Sequence, residues 1–177
     1  DPWYVQLGRF YLNLAKGDLG TSIIYRRDVP VLEIIAPRIP YSVYFGVAAT
    51  AIALVFGLAL GIAMARKKGK TVDKVGTGYI VLVNAVPSAV YLLFIQLYLT
   101  SFFSLPLLFD RYQVKSWILP TISLSLGGMA GYAMWMRRYM VDELNKDYIK
   151  LAMSKGLPEK KIMVRHVMRN AFVPMAQ

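Results

Sequence analysis

Residues 41–65 read YSVYFGVAATAIALVFGLALGIAMA and contain no Asp, Glu, Lys, Arg or His. At about 1.5 Å per residue a helix of that length is roughly 37 Å long, enough to cross a ~30 Å hydrocarbon core with some tilt. Buried helices of soluble proteins rarely run so far without a charge. The stretch therefore directs the reading toward a helix that lies in lipid. Two further uncharged blocks follow, at about residues 78–104 and 116–136, so the sequence predicts three full spans. Apolar residues make up 56% of the chain and the mean hydropathy is +0.44, above the usual balance of a soluble domain.

The formal net charge of +11 raises a nucleic-acid reading, because a basic patch neutralises phosphates. The distribution of the charges favours a membrane instead. Five basic residues lie in 66–74 and nine in 137–169, while only Arg111 and Lys115 separate the second and third blocks. Positive residues gather in cytoplasmic loops, so 66–74 and 137–169 are expected inside and 105–115 outside. Residues 1–39 then lie outside, with five basic and four acidic residues nearly cancelling. Trp3, Tyr4, Phe10, Tyr11 and Tyr25 in that segment predict short amphipathic helices at an interface. The expected division is an extracytoplasmic segment, 1–39, and a transmembrane domain, 40–177. Asp1 is not a Met and a new apolar run begins at Ala171, so the expectation is a chain incomplete at both ends.

Within the first block Ala49, Ala53, Gly57, Gly61 and Ala65 place a small residue at every fourth position. The third block carries Gly127 and Gly131. Between helices in lipid the hydrophobic drive is weak, and close backbone approach through small residues does the holding. These positions are the expected packing faces of a helix bundle. The second block carries Asn84, Pro87, Ser88 and Gln96, with Asn84 and Ser88 one helical turn apart on the face of Tyr91. Polar groups in hydrocarbon need a partner or a cavity, so this face either lines a solute pathway or fixes the bundle by interhelical hydrogen bonds. In the third block Pro120 is expected in the first turn, where its missing N–H is harmless.

Beyond the third block Val141, Leu144, Tyr148 and Leu151 recur at helical spacing among charges. Gly156 follows as a left-handed terminator, and Pro158 with Glu159 suits the start of a further helix. A helical elbow of this kind, hung between two spans, either docks in a groove of a soluble partner or lies on the lipid surface.

Catalytic and nucleotide chemistry finds no support. Cysteine is absent, which excludes disulfides and thiol nucleophiles. Gly69-Lys70-Thr71 resembles the tail of a phosphate-binding loop, but Met64 stands where the first Gly is required. Gly76-Thr77-Gly78 lacks the third Gly of a dinucleotide fingerprint. His166 is the only His, set among Arg165 and Arg169, and no acidic pair is arranged for acid–base work. The expectation is no enzyme, no metal site and no cofactor in this chain.

The stretch DYIKLAMSKGLPEKK at residues 147–161 resembles the cytoplasmic coupling loop of binding-protein-dependent ABC importers. Its continuation RHVMRNAFVP at 165–174 is similar to the oligopeptide and dipeptide permease branch. Gly17-Asp18-Leu19-Gly20-Thr21-Ser22, Pro30-Val31 and Arg38-Ile39-Pro40 resemble the extracytoplasmic region of that branch's first permease subunit. The general Glu-Ala-Ala, three residues, Gly motif is reduced here to Ala152 and Gly156, with Lys150 and Leu151 at the other places. The family's later Ile-x-Leu-Pro falls on His166, Val167, Met168 and Arg169 and is missing.

The resemblance implies an all-α polytopic membrane bundle of the type I importer permease kind. It implies six spans, one before Asp1 and two after Gln177, in a prokaryotic cell membrane. It further implies a heterodimer with a second permease, two cytoplasmic ATPase subunits that hold ATP and Mg, and an extracytoplasmic substrate-binding protein. Tyr148, Lys150, Leu151, Ala152, Ser154, Lys155, Gly156 and Leu157 would then contact an ATPase. The cargo would be oligopeptides or dipeptides. Alternatives are another solute such as a chelated metal or a sugar, a channel or scaffold subunit that uses no ATP, or a membrane-anchored nucleic-acid binder using 137–169.

Overall fold

The computed structural model describes residues 1–175, and those residues are helical with a single isolated bridge, Thr21 to Pro30, and no strand. Two compact units divide the chain, Asp1–Phe45 and Gly46–Gln177.

The first unit opens with α1, Trp3–Ala15, which buries none of its residues. Trp3, Tyr4, Phe10 and Tyr11 all stay exposed. A turn region follows. Its backbone closes through Ser22 N–H to Val29 O at 2.9 Å and Val31 N–H to Gly20 O at 2.9 Å. The Asp18 carboxylate accepts the Gly20 N–H at 2.8 Å. Helix α2, Val31–Ile35, starts behind Pro30, a residue that suits the entry of a helix because it needs no amide partner.

Helix α3, Ile39–Arg66, contains the run that opened the reading and has a mean hydropathy of 2.4 in its most apolar window. Ala49, Ala53, Gly57, Gly61 and Ala65 are buried, while Leu54, Val55 and Phe56 on the opposite side are exposed. The small residues lie against α6, Lys115–Leu144. A Cβ placed on Gly57 would stand 2.8 Å from the Met129 carbonyl oxygen, and one on Gly61 would stand 2.7 Å from that of Ala133. The approach is reciprocal, since a Cβ on Gly128 would stand 2.8 Å from the Ala53 Cβ. At these distances the two backbones meet with nothing between them. Gly127 sits beside the Tyr91 hydroxyl, but Gly131 has open space around it and is not a close-approach position.

The expectation of three full spans is met in part. Among the described residues only α3 is by itself long and apolar enough to cross a membrane. The second block is a broken pair, α4 (Thr71–Ala85) and α5 (Ser88–Phe102), bent by 106°. Pro87 causes the break. Its ring disfavours the helical region for the residue before it, and Val86 is extended at φ −96°, ψ 127°. Asn84 and Ser88 thus lie on different helices, both exposed, and do not form one face. Gln96 donates to the Leu107 carbonyl in the loop after α5.

The third block lies in α6, which begins at Lys115 and so carries Pro120 inside the helix rather than in its first turn. Its buried Thr121, Ser123 and Ser125 donate to the carbonyls of Trp117, Leu119 and Ile122, each at 2.7 Å. Those hydroxyls lower the hydropathy of α6, although each is satisfied by its own helix. Helix α4 packs on α6 through Ile80, Val83, Ala130 and Ala133 with Met64 of α3. The Tyr79 hydroxyl donates to the Leu126 carbonyl at 2.7 Å.

Substituting Gly61→Ala is expected to destabilise the purified protein by about 1–3 kcal/mol, because the new methyl has backbone on its far side. Gly131→Ala is expected to be neutral or stabilising by up to about 1 kcal/mol, since Ala is the better helix former. Thermal unfolding midpoints in detergent distinguish the two.

Candidate functional site: the elbow beyond α6

Helix α6 runs straight through Leu144, so the apolar series from Val141 does not continue into a separate helix at that point. The chain turns at Asn145 and at Lys146, which is extended with ψ 144°. Helix α7, Asp147–Ser154, then begins with Asp147 in its first turn, where a carboxylate complements the positive end of the helix. The turn resets the helical phase. Ile149, not Leu151, becomes the buried residue of α7, and Leu151 is 55% exposed.

Gly156 ends α7 at φ +71°, a conformation that costs residues with a Cβ. Its N–H donates to the Met153 carbonyl at 3.0 Å, and the Leu157 N–H donates to that of Ala152 at 3.3 Å. This paired closure satisfies the free carbonyls at the helix end. Beyond it lie α8 (Glu159–Ile162), a π-helical segment (Met163–Met168) and α9 (Arg169–Phe172).

One apolar cluster ties the elbow to the ends of the long helices. Ile149, Ile162 and Val167 pack with Met136 and Met140 of α6 and Ala65 of α3, all at most 2% exposed. Ala152 and Leu157 lie partly buried against that cluster, so these two face the bundle and not outward. Lys150, Leu151, Ser154, Lys155 and Gly156 remain exposed, joined by Met153. The outward surface is therefore a short apolar patch edged by lysines. Lys150 pairs with Asp147 at 2.9 Å on this surface, an exposed contact of little energetic weight.

Tyr148 turns away from that patch. Its hydroxyl donates to the Glu143 carboxylate, and the Asn170 side-chain amide donates to the Tyr148 hydroxyl at 2.7 Å and to Glu143 at 3.1 Å. The Tyr148 ring meets His166 edge-on with centroids 6.5 Å apart. Burial first, and then the neighbouring Glu143, raises the Tyr148 phenol above its usual value, which keeps the proton available for donation. Three helical segments, α6, α7 and α9, are joined at this point.

A second tie lies two turns back on α6. Arg137 clamps Asp73 with Nε to Oδ1 at 2.5 Å and Nη2 to Oδ2 at 2.8 Å. The Gly69 N–H donates to the same carboxylate at 2.8 Å. Asp73 is 4% exposed and lies in the first turn of α4. The Arg137 hydrogen bonds, opposed by burial and helped by Gly69, hold its carboxyl at about 2. Glu143, Asn170, Ile149 and this pair were not singled out from the sequence. The one available signal was that Asp73 is the only acid among the five basic residues of 66–74.

Among the described residues no group of His, Cys, Asp or Glu is arranged to hold a metal ion. The site presents an exposed apolar patch edged by lysines and carried on a buried anchor at Ile149. Residues 57–177 match the family described as the binding-protein-dependent transport system inner membrane component, and the chain belongs to that family. A dipeptide transport system permease protein of Lactococcus lactis is 36% identical over 98% of this chain and 57% of its own length. An oligopeptide transport system permease protein of Bacillus subtilis is 31% identical over 99% of this chain and 58% of its own. A glutathione transport system permease protein of Salmonella paratyphi A is 32% identical over 98% and 56%. The chain thus spans a little over half the length of these curated relatives.

Replacing Asp73 with Asn leaves Arg137 without its charge partner and is expected to cost about 3 kcal/mol. Asp73 titrates below its ordinary 3.8, so the pair's stabilisation is complete above pH ~4 and is lost as pH falls toward ~2. The midpoint difference between wild type and Asp73→Asn should be flat from roughly pH 5 to 8 and shrink only in acid. Gly156→Val should lower the thermal midpoint further than Ser154→Val, because only the former residue has a positive φ.

Proposed function

We propose that this chain is the membrane-embedded part of a permease subunit of an ATP-driven importer that takes up short peptides. One observation supports this reading above the others: the exposed patch of α7, Leu151, Met153 and Ser154 between Lys150 and Lys155, held on a buried anchor at Ile149. An apolar patch with a charged rim suits a groove on a soluble partner. A rigid anchor lets that partner's movement reach α6 and α3.

In this reading α3, the α4–α5 pair and α6 cross the lipid. The bases of 66–74 and 137–169 lie on the cytoplasmic side, and 1–39 faces out. ATP and Mg are held by two separate ATPase subunits, and this chain carries no catalytic residue. A second permease subunit and an extracytoplasmic binding protein complete the assembly. The exposed apolar surface of α3 and α5, including Val55, Phe56, Leu93, Phe94 and Leu97, meets lipid or further helices. Exposed apolar surface of this extent marks contact with a membrane or a partner. The peptide cargo follows the named relatives, two of which are a dipeptide and an oligopeptide transport permease.

Two measurements test the proposal. A photo-cross-linker at Ser154 in the assembled complex should capture an ATPase subunit, and capture of lipid alone would count heavily against the elbow's role. Proteoliposomes holding the whole complex should accumulate a labelled peptide only with ATP and the binding protein present. Uptake without ATP would favour a channel. ATP-dependent uptake of a chelated metal or sugar in place of peptide would keep the importer and change its cargo.

A further inference from the structure

The Asp73–Arg137 clamp lies outside the elbow and serves no contact of the exposed patch, yet its position in the fold is specific. On one side it holds the start of α4 and, through the Gly69 N–H, the loop that joins α3 to α4. On the other side it holds α6 shortly before that helix turns into α7. Higher on the same pair of helices the Tyr79 hydroxyl donates to the Leu126 carbonyl, and Ile80 and Val83 pack against Ala130 and Ala133. Helix α4 is thus fastened to α6 at two heights by polar contacts, and an apolar seam follows the second of them on α4. The seam runs to Val83, three residues before the extended Val86 and Pro87, where the chain bends by 106°.

A helix fixed to its neighbour at two points cannot slide or rotate on it, and the next free backbone takes up the motion. Here that free backbone is the Val86–Pro87 break, which lacks the continuous hydrogen-bond ladder of a helix. The bidentate geometry of the clamp adds directional stiffness that a single contact lacks. Removing it leaves the start of α4 without its polar tie to α6.

We propose that Asp73 and Arg137 are positioning residues of the transport cycle: they make α4 and the cytoplasmic half of α6 one body, so that movement of the α7 elbow is delivered to the Val86–Pro87 break. This rests on the importer reading given above. The pair contacts neither cargo nor nucleotide. Its role is to prevent the elbow's displacement from being lost as slippage between α6 and α4.

The experiment uses the complete complex in proteoliposomes and measures peptide uptake per ATP hydrolysed. Asp73→Asn and Arg137→Gln should each still co-purify with the ATPase subunits, yet lower that ratio by about tenfold. The double variant should be no worse than either single one, because the two residues act as a unit. Asp73→Glu, which keeps the carboxylate, should recover a large part of the ratio. An unchanged ratio, or losses in the double variant that multiply, overturns the proposal. So does a fall in uptake that only tracks the amount of assembled complex.

A second measurement keeps the clamp intact and does not depend on cargo. Spin labels at Lys67→Cys and Asn145→Cys, both exposed, should keep their separation within about 2 Å between nucleotide-free and ATP-bound complex. The separation between Lys67→Cys and Phe103→Cys, across the break, should change by more than that. A change in the first pair, or none in the second, overturns the inference even if the single variants fail to assemble. A wild-type complex that moves no peptide sinks the import reading instead, and the label distances still report on the clamp.

Discussion

The rest of the second unit depends on how closely α3 approaches α6. At Gly57 and Gly61 the α3 backbone lies where a single added carbon would stand under 3 Å from carbonyl oxygens of α6. Contact at that range maximises dispersion between two backbones and needs no water to be expelled. It is therefore suited to a setting in which lipid tails compete poorly for the same surface. The approach also sets the place of everything attached to α6. Met64 of α3 reaches the seam between α4 and α6, and Ala65 closes the cluster around Ile149.

Polar contacts then do what small residues cannot, which is to fix register and angle. The hydroxyls of Thr121, Ser123 and Ser125 are spent on their own helix and leave α6 smooth. Tyr79 and the Asp73–Arg137 pair join α4 to α6, and the Tyr148–Glu143–Asn170 group gathers three segments at the elbow. Each of these is directional, and all but the Tyr79 bond lie where one helix ends or changes course. Burial of the Asp73 charge is tolerated because three hydrogen bonds meet it, two from Arg137 and one from Gly69.

Much of this order was legible in the residues. The uncharged run at 41–65 signals its helix by length alone, and the spacing of Ala49, Ala53, Gly57 and Gly61 marks the side that lies against α6. Gly156 reads as a left-handed terminator, and its φ is +71°. Other features were hidden. Hydropathy averages over the Val86–Pro87 break, so the second block looked like one continuous helix. The periodicity from Val141 to Leu151 assumed a single helix, and the turn at Asn145 and Lys146 exchanged Ile149 for Leu151 as the buried residue. Gly131 has the same composition signal as Gly61 but no neighbour to meet.

The sequence by itself determined that the chain is helical, how far its apolar stretches run, which side of α3 is small and where the elbow turns. These are local properties, set by side-chain size, charge and backbone freedom over a few turns. Only the tertiary structure decided that Asp73 meets Arg137 across 64 residues of chain, that α4 and α5 diverge by 106°, and that Ile149 is buried while Leu151 faces out. Those outcomes depend on the relative rotation and height of separate helices, which no spacing within one helix specifies.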